Sequence, residues 1–230
     1  MDIQSLLLFV PVLLFSVIAH EYAHGYAALK QGDQTALMLG RLTWNPIKHI
    51  DPFMTIILPL VLWYGSGGRM LLGGAKPVPV NPRNYRNFKR GDIIVSLAGV
   101  FTNLLVAIAC VLLVPVLGLA GRAAAGLESS LGMFQAMMIY GVQLNMVLIA
   151  FNLIPIPPLD GSHVMKYLLP PSWSFRYMQL SRYGIILLIV LLYVTPNLLS
   201  KWLYPATFAG MQGLRMVESF VLPSTSQWLR

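Results

Sequence analysis

Charge is scarce in this chain. Only 10% of its 230 residues are charged, and acidic side chains number 8, where an ordinary soluble domain carries about a quarter charged residues. The shortfall excludes a soluble globular fold. A hydrophobic share of 57% and a mean hydropathy of +0.68 place much of the surface against lipid. Cysteine is nearly absent: Cys110 stands alone in an apolar run. It can form no intramolecular disulfide and reads as a small core side chain, which excludes a disulfide-stapled extracellular scaffold. No RNP, zinc-finger or helix-turn-helix pattern accompanies the net charge of +8, so nucleic acid is not an expected partner. Basic residues collecting on the cytoplasmic side of a membrane protein account for the excess. A signal peptide would open on positive charge, and this chain opens on Asp2, so residues 3–29 read as part of the fold. There is no internal repeat, and the length suits one domain over 1–230.

What is present is a series of apolar runs. A spanning helix needs about 20 mainly apolar residues. Leu6–Leu29, Ile93–Leu119 and Leu131–Ile154 qualify, and Gly184–Leu199 is a shorter candidate. Met54–Trp63 is apolar but short, broken by Pro59 and followed by Gly65, Gly67 and Gly68. Residues 204–230 mix apolar positions with Arg215 and Glu218, which suits either an amphipathic interfacial helix or a final span. The run Lys76-Pro77-Val78-Pro79-Val80-Asn81-Pro82 should be extended, because proline excludes helix and pushes the preceding residue toward β or polyproline geometry. The expected fold class is an all-α polytopic membrane protein, a bundle of about four to six transmembrane helices with a re-entrant, membrane-associated segment. Residues 1–165 form its core and 166–230 its C-terminal helices.

Basic residues set the orientation. They crowd residues 30–92 and recur at Lys166, Arg176 and Arg182, while the 120–130 connection holds Arg122 balanced by Glu128. The positive-inside rule places 30–92 and 156–182 in the cytoplasm, with 120–130 and the N-terminus outside. The 54–63 segment then enters and leaves on one side. Irregular backbone at that depth requires a protein-lined or water-filled cavity.

The chemistry is concentrated in His20-Glu21-Tyr22-Ala23-His24. Residues i and i+4 share a helix face, so both imidazoles can reach one ion, and Glu21 beside the first ligand can act on a water held there. HExxH on a helix is the zinc-protease signature. Ionisable groups within a membrane segment are expensive and therefore functional candidates, although polar side chains lining a helix contact are the competing reading. A catalytic zinc needs a third protein ligand. His49 lies in a polar loop beside Lys48 and Asp51 and should be solvated; His163 reads as a surface histidine. Asp160 is the better candidate, because Pro155, Pro157 and Pro158 end the preceding helix and Gly161 lets the chain turn. A turn or N-cap aspartate is its alternative. One crossing, the 93–119 span, separates the two regions and brings both sets of residues to the cytoplasmic side, in agreement with the charge distribution.

These motifs resemble the site-2 protease family of intramembrane zinc metalloproteases. The likeness rests on His20 through His24, on Asn152 through Asp160-Gly161, on Gly40-Arg41-Leu42-Thr43 with Asn45-Pro46, on Gly74 through Pro82, and on Ala98-Gly99 with Asn103. It covers most of residues 15–165 and is similar to the compact prokaryotic branch without PDZ or CBS domains. The resemblance implies one zinc ion held by His20, His24 and Asp160, Glu21 as general base, and Asn152 near the scissile peptide. It implies transmembrane proteins or peptides as substrates in a lipid bilayer, in the inner membrane of a prokaryotic cell, with the active site toward the cytoplasm. It also implies that 64–82 forms a β-like element presenting a substrate strand; an ordinary cytoplasmic loop is the alternative. Val100 departs from the family's proline, which should alter helix geometry more than chemistry.

The expected reaction is metal-assisted peptide hydrolysis with Glu21 moving the proton. A metal transporter or sensor using the same ligands, or an inactive membrane scaffold, are the competing functions. Asn103, Gln143 and Asn145 read as interhelical hydrogen-bonding residues, and the methionines as filler.

Overall fold

In lipid, a helix satisfies its own backbone hydrogen bonds, so long apolar runs become helices. A computed structural model describes residues 3–57, 60–61, 64 and 73–228. In chain order the helices are α1 (Ile3–Gln31), α2 (Thr35–Met38), α3 (Phe88–Ala123), α4 (Glu128–Asn152), α5 (Asp160–Met165), α6 (Pro171–Gln179), α7 (Gly184–Val194) and α8 (Pro196–Met216). By length and composition α1, α3 and α4 can each cross a membrane. The α6 stretch meets α7 at a bend of 83°, as a broken span or a re-entrant loop. The described residues thus hold 3 spans, or up to 4 with the bent pair. α8, which contains the first part of the tail left open by the sequence, is not among them. With 36 residues, α3 is about 54 Å long against a hydrocarbon core of about 30 Å. Its first turn, with Lys89 and Arg90, has room to stand among headgroups.

No β-strand forms among the described residues. Residues 73–81 are extended as their prolines dictate, without a β ladder; the 65–72 part of the expected β-like element lies outside the described residues. Of the expected re-entrant segment 54–63, the described part belongs to a π-helical turn over Pro52–Ile57 and to residues 60–61. Leu58, Pro59, Leu62 and Trp63 lie outside the described residues.

The chain packs as two units, Val17–Gly99 and Met1–Ser16 with Val100–Arg230. In the first, Gly32 ends α1 with a φ of +109°. Its N–H donates to Leu29 O (3.1 Å), and that of Asp33 to Ala28 O (2.9 Å), capping carbonyls that helix geometry leaves open. Asp33 is fully buried. Its carboxylate accepts from Thr35 N (3.1 Å), Thr35 Oγ1 (2.5 Å), Asn81 N (2.7 Å) and Asn84 Nδ2 (2.8 Å), pinning the end of the extended segment to the end of α1. Burial raises the Asp33 pKa, but these hydrogen bonds outweigh it and hold the carboxyl below its ordinary 3.8. Ala28, Tyr85 and Val95, with Ala27 and Val80 packed on them, form this unit's core.

The second unit is organised around Cys110, Val114, Ile139, Val142 and Leu214. Cys110 is a core residue, as its run suggested. Small residues allow the helices to approach, as packing in lipid requires: a Cβ on Gly141 would meet Cys110 Sγ at 2.6 Å, and one on Gly210 would meet Met146 Cγ at 2.8 Å. Asn145, fully buried, donates to Ser16 Oγ at 2.9 Å, the interhelical role expected of it. Gln135, also fully buried, donates to Val114 O (2.9 Å) and Phe220 O (3.1 Å) and accepts from Leu222 N (2.9 Å).

Candidate metal centre

α1 carries His20, Glu21 and His24 within the first unit. The i, i+4 spacing sets the two imidazoles edge to face, with ring centroids 4.6 Å apart and planes at 81°. Their Nε2 atoms face each other at 2.9 Å. His24 Nδ1 lies 2.7 Å from Val95 O. A carbonyl can only accept, so Nδ1 carries the proton and the Nε2 lone pair points toward His20. A backbone carbonyl fixing the tautomer of a histidine is the support that metal-ligating histidines commonly have. His20 is 7% exposed and His24 is half-buried. Two nitrogen donors converging on one point in a largely dry setting suit one borderline-soft cation such as zinc.

The neighbouring stretch of α3 is shaped to fit. Val95 and Gly99 lie four residues apart on one face. Val95 supplies the carbonyl to His24, and Gly99 lies against the His20 ring, where a Cβ would come within 2.5 Å of Cε1. Glu21, half-buried, accepts from Val78 N through Oε2 at 2.7 Å. The carboxylate beside the first histidine is therefore held by the extended 73–81 segment.

Asp160 and Asn152 belong to the second unit. Asp160 is the first residue of α5, after Leu159 at the cap position, and is half-buried. The turn before it runs through a cis Pro157–Pro158 bond and is tied to α6 by Tyr177 Oη, which donates to Pro155 O at 2.8 Å. Gly161 packs onto the Leu153 carbonyl so closely that no side chain fits there. Asn152 closes α4, half-buried, and its Nδ2 donates to Leu148 O at 3.0 Å.

The structure corrects the reading of His49. It is 2% exposed, not solvated, and its Nε2 lies 2.9 Å from Thr43 O, making it a loop anchor. His163 is half-buried. The sequence motifs single out neither Asp33 nor Gln135, and they give Arg41 no role beyond its place in the Gly40-Arg41-Leu42-Thr43 block. For Asp33 a signal existed, since Asp-Gln-Thr after a helix-ending glycine is an Asx-turn pattern. Nothing local marks a glutamine in an apolar helix as a tie to the C-terminus.

Peptidase family M50 matches residues 8–192. The chain is 41% identical over 210 residues to "Putative zinc metalloprotease YwhC" of Bacillus subtilis (strain 168), covering 91% of this chain and 90% of that one. It is 30% identical over 195 residues to "Putative zinc metalloprotease Rip2" of Mycolicibacterium smegmatis, covering 85% and 69%. No solved structure matches it at a significant level.

Proposed function

The chain belongs to peptidase family M50, the site-2 proteases, and is an intramembrane zinc metalloprotease; we propose that it hydrolyses peptide bonds in transmembrane segments, using His20, His24 and Asp160 to hold the zinc and Glu21 as general base. The convergence of the two Nε2 atoms at 2.9 Å, with Glu21 adjacent on α1, carries this reading. Asp160 is the third ligand because a catalytic zinc takes three protein ligands. It is also the carboxylate presented at the unwound end of a span. Zinc, when bound, supplies Lewis acidity, polarising the scissile carbonyl and acidifying water. Glu21 takes the proton from the attacking water and returns it to the leaving amine. Asn152 supports the substrate backbone or the oxygen that becomes negative, a role an amide N–H can fill.

Membrane proteins in the bilayer are the substrates. A helical substrate must unwind locally, because its carbonyls are hydrogen-bonded and shielded. We place the active site toward the cytoplasmic side of a prokaryotic inner membrane, on the basic residues of 30–92 and 156–182. The chain then acts as one catalytic domain, with 1–165 carrying the chemistry and 166–230 the C-terminal helices.

The test is Glu21→Gln in detergent-purified protein, assayed against fluorogenic single-span peptides. Zinc content should match wild type while cleavage falls by at least about 100-fold. Cleavage at the wild-type rate would remove Glu21 as the base. Asn152→Ala should keep its zinc and lose kcat.

A further inference from the structure

The extended segment over the catalytic helix has an unusual donor pattern. Pro77 and Pro79 contribute no N–H, so Val78 carries the sole backbone donor between positions 76 and 80. That donor meets Glu21 Oε2 at 2.7 Å. The Val78 side chain is 6% exposed and fits against Gly25, one helical turn beyond Glu21, where a Cβ would meet its Cγ1 at 2.9 Å.

The segment is fixed on both sides of this contact. Upstream, Arg41 Nη2 donates to Lys76 O (2.9 Å) and Pro77 O (3.3 Å), and Lys76 N donates to His49 O (2.8 Å). Downstream, Asn81 N donates to the buried Asp33 carboxylate at 2.7 Å. Proline stiffness and these bonds leave the Val78 N–H little freedom of direction. A glutamate side chain has three rotatable bonds, and a base displaced by about 1 Å can lose about 100-fold in rate.

We propose that Arg41 and the Val78 N–H are positioning groups for the general base. Arg41 holds the carbonyls before Val78, and the Val78 amide anchors Glu21 through Oε2, leaving Oε1 to take the proton from water and pass it to the leaving amine. This rests on Glu21 being the base. Clamping at both ends suits a permanent support and not a plug that must leave before substrate enters.

The experiment compares Arg41→Ala, Arg41→Lys and Val78→Pro with wild type, all as full-length protein in detergent. Zinc content and thermal unfolding report the fold, and a fluorogenic single-span peptide reports cleavage. Arg41→Ala and Val78→Pro should keep zinc and lose about 10- to 100-fold in kcat, with KM within about twofold, because the base and not substrate binding is disturbed. Arg41→Lys should recover part of the rate. Amide hydrogen exchange gives a readout independent of cleavage. The Val78 amide should exchange slowly in wild type and faster in Glu21→Ala and Arg41→Ala, while the Asn81 amide stays slow. Wild-type kcat in zinc-replete Arg41→Ala, or a raised kcat as a displaced plug would give, overturns the proposal. So does Val78 exchange indifferent to Glu21→Ala. A wild type that binds zinc but cleaves no peptide counts against the protease reading; exchange at Val78 still decides the contact.

Discussion

Gly99 and His20 are in closer contact than any other residue could allow: a Cβ at position 99 would stand 2.5 Å from the imidazole Cε1 and 2.6 Å from Nδ1 and Nε2. Glycine here has nothing to do with a special φ; it makes room for the ring between two helices. Since His24 is tied to Val95 O on the same face of α3, the ring of His20 can yield only by turning its Nε2 away from that of His24. Gly99→Ala should therefore lower zinc affinity by about 10- to 100-fold, the usual effect of disturbing the support of a metal ligand. Helix content should be unchanged. Competition against a chelator measures it, and unchanged affinity would mean that α1 and α3 separate without cost.

Asp160→Ala tests the ligand set itself. Zinc measured in chelator-free preparations should fall from one per chain to a small fraction, because two imidazoles alone leave a catalytic zinc short of a protein ligand. Asp160→Asn should do nearly as much, keeping the volume but removing the charge. Stoichiometric zinc in both variants would take Asp160 out of the site and return it to a role at the start of α5.

What was legible in the sequence follows from the range of the interactions involved. α1, α3 and α4 were visible because lipid demands some 20 apolar residues in a row. His20, Glu21 and His24 were visible because their spacing lies within about one helical turn, with the two histidines on one face. The extension of 76–81 was visible in its prolines, although Pro82, expected to continue it, opens a 3-10 turn over Pro82–Asn84. What those residues touch was not: the acceptor for the Val78 amide is 57 residues away in sequence, and that for the Arg41 guanidinium 35 away. His49 was misjudged for the same reason. Its neighbours Lys48 and Asp51 are polar, but its burial comes from the loop folding back so that Thr43 O meets its ring.

The Asp33 carboxylate gives a pH-dependent prediction outside the membrane spans. Its pKa is lowered from 3.8 by the hydrogen bonds that outweigh burial. A depressed carboxyl contributes stability above its unfolded value and loses it as pH falls through the folded one. Asp33→Asn should destabilise the protein by about 2 kcal/mol near neutral pH, since its amide NH2 would replace one acceptor oxygen and face either the Asn81 N–H or the donors of Thr35 and Asn84. The gap from wild type should narrow only below about pH 4. Thermal unfolding of both proteins across that range measures it, and a gap constant with pH would show that the carboxylate is not ionised in the fold.

Gln135 lies in α4 with no exposed surface, and both ends of its amide are engaged: Nε2 with Val114 O and Phe220 O, Oε1 with Leu222 N. Around it, the residue 219–222 stretch is also tied by Arg122, whose Nη2 donates to Ser219 O at 2.5 Å. Leu222 is fully buried beside Gly121, where a Cβ would meet its Cδ1 at 2.7 Å. Gln135→Leu preserves volume while stranding one buried N–H and one carbonyl of the tail. Each unsatisfied group costs about 1–3 kcal/mol, which is more than a short terminal segment can return through packing alone. The segment should therefore open while the α3–α4 core stays closed. Hydrogen exchange at Leu222 should quicken by about 100-fold or more, and proteolysis should begin near residue 220. Slow exchange there in Gln135→Leu would mean that Leu222 packing and the Arg122 contact hold the tail without the glutamine.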